Sequence, residues 1–132
     1  MAPRQLSPTV WASPQPALDG IAGLATSGVR RIICNRPDGE DPDQPTAAEV
    51  EAAARAAGLD FVWIPIVGLP GPDQVAAVSA RLADAAPTLM YCRSGTRSAI
   101  AWAMAESGRG VDAEALRAAA AGAGYDLSRV PL

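Results

Sequence analysis

Histidine and lysine are both absent from this chain, and all 11 of its basic residues are arginine. Without imidazole there is no Ser-His-Asp or Cys-His pair, no histidine-ligated metal and no histidine proton switch. Without lysine there is no Schiff base and no lysine-bearing phosphate loop. Catalysis is left to Cys, Asp, Glu, Tyr, Ser, Thr, Arg and backbone groups. Cysteine is also scarce. Two residues cannot form a disulfide framework, which suits a reducing, cytoplasmic setting. No apolar run approaches the ~18 residues of a membrane span. The first thirty residues lack the charged-then-apolar pattern of a signal peptide. A net charge of −3 argues against nucleic acid or an anionic membrane as partner.

What is present is one domain's worth of chain: 132 residues, read as a single domain over 1–132. Alanine supplies 29 of them, so the 49% hydrophobic content overstates the bulky core. Gln5–Leu6 and Thr9–Ala12 read as short strands broken by Pro8. Leu18, Ile21, Leu24 and Ala25 recur at helical spacing, with Gly28 as the stop. Arg30–Cys34 reads as a buried strand and Asn35–Pro45 as a loop. Thr46 and Glu49 have capping-box spacing at the head of an alanine-rich helix that ends near Gly58. Phe61–Val67 reads as a strand and Gly68–Pro72 as a loop. A helix marked by Val75, Val78 and Leu82 follows, then the strand Thr88–Tyr91. Ser98–Ser107 and a segment from Asp112 to about Ala121 read as the last helices. Strands alternating with helices predict an α/β fold with a central, mostly parallel sheet flanked by helices. Ligands of such sheets sit beyond the carboxyl ends of the strands.

One loop at such an end concentrates chemistry: Tyr91-Cys-Arg-Ser-Gly-Thr-Arg-Ser98. Its backbone amides can converge on one anion, and the helix that follows adds positive charge at its N-terminus. Arg97 can grip two oxygens of that anion with its planar fork. The same field favours a thiolate on Cys92; thiols so placed titrate as low as ~3.5–7.5. Gly95 permits the tight turn, and Arg93, Ser94, Thr96 and Ser98 complete an anion-binding loop. Ser98 is placed to donate to the Cys92 sulfur, and Arg93 to steer anions or simply to be solvated.

The loop resembles that of the beta-lactamase hydrolase-like protein, phosphatase-like family, a bacterial branch of the protein tyrosine phosphatase superfamily. The resemblance extends to Ser13–Pro16, Asn35–Glu40, Gln44–Glu49 and Ile64-Pro-Ile66. It implies a compact fold of the dual-specificity or tyrosine phosphatase type. It also implies a nucleophile at Cys92 and an anion-binding arginine at Arg97. In some bacteria the domain is joined to a persulfide dioxygenase, which is thereby a possible partner, and members are often labelled sulfur transferases. Two departures stand out. Tyr91 occupies the place where tyrosine phosphatases carry histidine. Four residues, not five, separate Cys92 from Arg97, a spacing similar to that of rhodanese-type sulfurtransferases.

A phosphatase-like hydrolase is therefore the first expectation. A sulfurtransferase forming a Cys92 persulfide is the alternative, and a weakly catalytic anion-binding module the third. Phosphoryl transfer asks for a general acid. The candidates are Asp73, which also suits a helix N-terminus, and Asp38 and Glu40, which also suit a solvated turn. Arg36 is either a second substrate clamp or the partner of one of those acids. Cys34 is either a redox partner of Cys92 or a buried strand residue. Trp11, Trp63 and Trp102 are expected in the core or in pocket walls. No metal or organic cofactor is expected. The substrate is a small anionic or phosphorylated molecule, or a persulfide or thiol.

Overall fold

The computed structural model describes residues 3–132. Arg4–Ser7 (β1) and Val10–Ser13 (β2) form an antiparallel hairpin around Pro8, with an irregularity between Gln5 and Ser7. A short 3-10 turn, Leu18–Gly20, runs into Ile21–Thr26 (α1). Next come Arg31–Cys34 (β3), Ala47–Ala56 (α2), Asp60–Trp63 (β4) and Pro72–Leu82 (α3). Thr88–Tyr91 (β5), Thr96–Gly108 (α4) and Ala113–Gly122 (α5) complete the order. No helix among the described residues is long and apolar enough to cross a membrane.

The sheet order is β1-β2-β5-β3-β4, parallel everywhere except the β1–β2 edge. The chain winds outward from β3 to β4 through α2, then returns through α3 to insert β5 beside β3. Winding therefore reverses between β3 and β5, which puts the crevice at the carboxyl ends of these two strands. β5 is buried along its whole length, as a central parallel strand with both faces covered must be. Its alternation divides the core. Met90 and Ile33 face one cluster with Trp102, Val78 and Leu116. Leu89, Tyr91, Ile32 and Cys34 face the other, with Ile21 and Val50. Each fully buried side chain of this size contributes roughly 1.5–3 kcal/mol.

The alanines find their use in α4. Ala99, Ala101, Ala103 and Ala105 are all buried in it, alongside Trp102. Buried on several sides, it needs small residues to let its neighbours approach. α2 begins as its spacing predicts: the Thr46 side chain accepts from the Glu49 amide, and Glu49 accepts from the Thr46 amide.

Most element ends shift by a residue from the sequence reading, and two larger differences bear on the site. β4 stops at Trp63 rather than Val67, because Pro65 has no N–H to continue the ladder. Ile64 and Ile66 still donate to the carbonyls of Cys34 and Asn35, so this irregular segment stays tied to β3. α4 starts at Thr96, two residues earlier than expected, so Arg97 lies within its first turn.

Candidate active site

Cys92 leaves the end of β5 fully buried, and its amide still reaches the Ser13 carbonyl of β2 at 3.3 Å. The chain then turns through Gly95, whose φ of 95° is one that residues with a β-carbon rarely adopt. The turn aims the Gly95 amide at the Cys92 sulfur, 3.1 Å away. Gly95 is also the N-cap of α4, so the first-turn amides and the positive end of the helix lie at the same place. Ser94 and Thr96 join their hydroxyls at 3.1 Å on the outer side of the turn. A β-carbon on Gly95 would lie 2.1 Å from the Tyr125 hydroxyl. Gly95→Ala is thus expected to break the loop twice, by torsion and by collision. Its check is loss of phosphate binding in a chain that still shows native far-ultraviolet circular dichroism.

Arg97 is held by three hydrogen bonds to two partners. Its Nη1 and Nη2 donate to the two carboxylate oxygens of Glu40 at 2.7 and 2.8 Å, and Nη1 also donates to the Ile66 carbonyl at 2.8 Å. Glu40 keeps the guanidinium firmly protonated, and the Cys92 side chain reinforces this despite the cost of burial. Reciprocally, the hydrogen bond from Arg97 holds the Glu40 carboxyl below its ordinary range; burial opposes this, and Arg36 adds to the lowering. Glu40 is therefore an ionised acceptor at neutral pH and has no proton to donate.

The other candidate acids have structural occupations. Asp38 accepts from the Ala47 amide at 2.8 Å and so caps α2. Asp73 falls in the first turn of α3, where the helix dipole favours a carboxylate. Among the described residues it has no hydrogen bond to the loop. Asp41 pairs with Arg36 at 2.6 Å and with the largely exposed Arg93 at 3.3 Å.

Arg36 and Cys34 take the structural one of the two roles left open for each, and the expectation for Ser98 is corrected. Arg36 is no free clamp: it is 4% exposed, and its fork is filled by Glu40, Asp41 and Gln15. It organises the acidic loop instead, with its carbonyl pinned by the half-exposed Trp63 indole at 3.0 Å. Ser98 does not donate to the sulfur. Its hydroxyl donates to Asn35 Oδ1 at 2.8 Å, and Asn35 Nδ2 donates to the Ile64 carbonyl at 3.0 Å. This buried pair ties α4 to the ends of β3 and β4. Cys34 fills the buried strand position that was its other reading: it lies opposite Tyr91 in the β3–β5 register and packs in the same core cluster. Cys34 donates to the Arg36 carbonyl, and burial pushes its thiol up. The Tyr91 phenol, packed in the same core cluster, is likewise pushed up, first by burial and then by Cys34.

Asn35, Gln15, Glu40 as the partner of Arg97, and Tyr125 are the contributors that sequence reasoning missed or misassigned. Asn35 alone left a signal, as a polar residue closing a buried strand. A cavity of about 530 Å³ adjoins the loop and is lined by Ser94, Thr96, Arg4, Pro14 and Tyr125. Another, about 550 Å³, lies between α3, α4 and the C-terminal residues and does not touch the loop.

The fold is shared with solved phosphatases. A Neisseria meningitidis protein, classed provisionally as a phosphatase, superposes with a TM-score of 0.82 at 30% identity, over 96% of this chain and 92% of its own. TpbA of P. aeruginosa, solved in complex with pTyr, superposes with a TM-score of 0.67 at 22% identity, over 96% of this chain and 76% of its own. The beta-lactamase hydrolase-like protein of Xylella fastidiosa (strain Temecula1 / ATCC 700964) is 36% identical over 121 residues, which are 89% of this chain. The match spans 28% of that relative, little more than a quarter of its length. Residues 3–109 match the model of the phosphatase-like domain of beta-lactamase hydrolase-like proteins. That span takes in all five strands, the loop and α4, and the chain belongs to this family.

Proposed function

We propose that the protein is a cysteine-dependent, phosphatase-like hydrolase of small anionic esters, with Cys92 as nucleophile and Arg97 as the anion clamp. The observation that carries this reading is the Gly95 amide 3.1 Å from the Cys92 sulfur at the head of α4. Donors aimed at a sulfur also suit the oxygens of an anion held against it. The Cys92 thiolate attacks phosphorus, forming an S–P bond as the ester P–O bond breaks, and the leaving oxygen takes a proton. Water then attacks phosphorus and loses a proton. Inorganic phosphate departs and the thiolate returns.

Every carboxylate brought to the loop is occupied. Glu40 is held ionised by two arginines, and Asp41 is ion-paired. Protonation of the leaving oxygen falls to water, which favours substrates whose leaving group is stable as an anion. The same observation supports the second reading, sulfur transfer through a Cys92 persulfide. That step proceeds with little acid catalysis and suits the four-residue spacing.

Purified protein and Cys92→Ser are assayed with p-nitrophenyl phosphate and with thiosulfate plus cyanide. Hydrolysis of the aryl phosphate, lost in Cys92→Ser, is the expected result. Thiosulfate turnover alone overturns the hydrolase in favour of sulfur transfer. Activity with neither substrate, together with phosphate binding retained in Cys92→Ser, overturns both in favour of an anion-binding module.

A further inference from the structure

We propose that Tyr125 is a positioning residue for the nucleophile: its hydroxyl holds the Ser94–Gly95 peptide so that the Gly95 amide faces the Cys92 sulfur. The proposal rests on the reading of Cys92 as the reacting sulfur. The two contacts occur at opposite ends of one peptide unit. Tyr125 Oη donates to the Ser94 carbonyl at 3.4 Å, and the Gly95 amide donates to Cys92 Sγ at 3.1 Å. In a planar trans peptide the carbonyl and the amide hydrogen point in opposite directions. Holding the carbonyl outward therefore turns the amide inward, and a donor on the carbonyl also polarises the N–H beyond it.

The rest of the geometry fits this role. Tyr125 is buried, and its hydroxyl packs so closely on Gly95 that no β-carbon fits between them. The corner that presents it is itself fixed. Arg4 of β1 donates to the Ala123 carbonyl at 3.0 Å, and its guanidinium fills the space a side chain at Gly124 would need. Burial holds the Tyr125 phenol above its ordinary range, with Arg4 opposing and Cys92 reinforcing. The hydroxyl thus remains a donor through neutral pH.

The groups that bear on the sulfur's charge are Arg97 of α4 with Glu40 behind it, and Tyr125 of the C-terminal segment with Arg4 behind it. Tyr125→Phe removes the donor and keeps the ring, leaving Arg97 and Glu40 untouched. Alkylation of Cys92 by iodoacetamide is followed against pH, with peptide mass spectrometry separating it from Cys34. The high-pH plateau reports access to the sulfur, and the midpoint reports how well the thiolate is stabilised. In Tyr125→Phe the midpoint is expected to rise by about 0.5–1 pH unit with the plateau and melting temperature retained. Tyr125→Leu, which also removes the ring support, is expected to raise it at least as far. A Tyr125→Phe midpoint equal to wild type overturns the proposal, whatever the plateau does. The measurement needs no turnover, so it is separate from the hydrolase assay. A shifted midpoint in a protein inactive on p-nitrophenyl phosphate refutes the hydrolase and retains the positioning role.

Discussion

Arg97→Ala is expected to lower kcat/KM for p-nitrophenyl phosphate on the order of 10²–10³-fold, the cost of removing one preorganised anion donor. It should also abolish measurable phosphate binding. Arg97 lies in the first turn of the helix that follows Cys92, and its planar fork matches two oxygens at once. Arg97→Lys keeps a charge and loses the fork, so an intermediate loss is expected. Steady-state kinetics with both variants checks this. A kcat/KM within threefold of wild type for Arg97→Ala would show that the loop amides suffice without it.

Glu40→Gln is expected to act in the opposite direction on binding. In the resting site the Arg97 fork already holds a carboxylate, bidentate at 2.7 and 2.8 Å. An incoming anion must share or displace it and also meets its negative charge. Glutamine keeps one acceptor for Arg97 and removes the charge. Phosphate affinity, measured by calorimetry, should therefore rise about five- to tenfold, the size of a partly screened charge interaction. In an Arg97→Ala background the same substitution should do little, since the competition runs through Arg97. Unchanged or weaker phosphate binding in Glu40→Gln would show that the carboxylate acts mainly as a strut for the arginine.

The same pair sets a pH dependence with a definite sign. The Glu40 carboxyl titrates lower in the folded chain than its ordinary 4.5, chiefly through its hydrogen bonds from Arg97. Its contribution to stability is fully present above that ordinary value. It is lost as pH falls through the depressed folded value. Wild type should accordingly lose more stability than Glu40→Gln between about pH 5 and pH 3, as read by thermal melts.

Much of the candidate site was legible because its parts are adjacent in sequence. Cys92, Gly95 and Arg97 lie within one strand–loop–helix connection, and the local rules for turns, caps and helix ends apply to them directly. Strand and helix order was legible for the same reason, through periodicity and the Thr46–Glu49 box. The acids were not. Asp38, Glu40 and Asp41 share one short loop, yet one caps a helix, one fills the Arg97 fork and one joins two other arginines. Their tasks depend on which donor the fold brings within 3 Å, and spacing carries no record of that. Ser98 is the sharpest case. Next to Arg97 in sequence, it turns inward to Asn35, 63 positions away.

The composition by itself excluded imidazole and lysine chemistry and left a thiolate, an arginine and backbone amides as the means of handling an anion. The residue order also placed these groups, because torsion preferences and helix-end electrostatics act over a few residues. The tertiary structure decided what surrounds them. The β3–β5 register put Cys34 beside Tyr91 in the core. Closure of the Asn35–Pro45 loop put Glu40 on Arg97. The turn after α5 laid Tyr125 on Gly95. Each of these joins residues thirty or more positions apart or fixes the face that a side chain takes, and that follows only once the strands have chosen their neighbours.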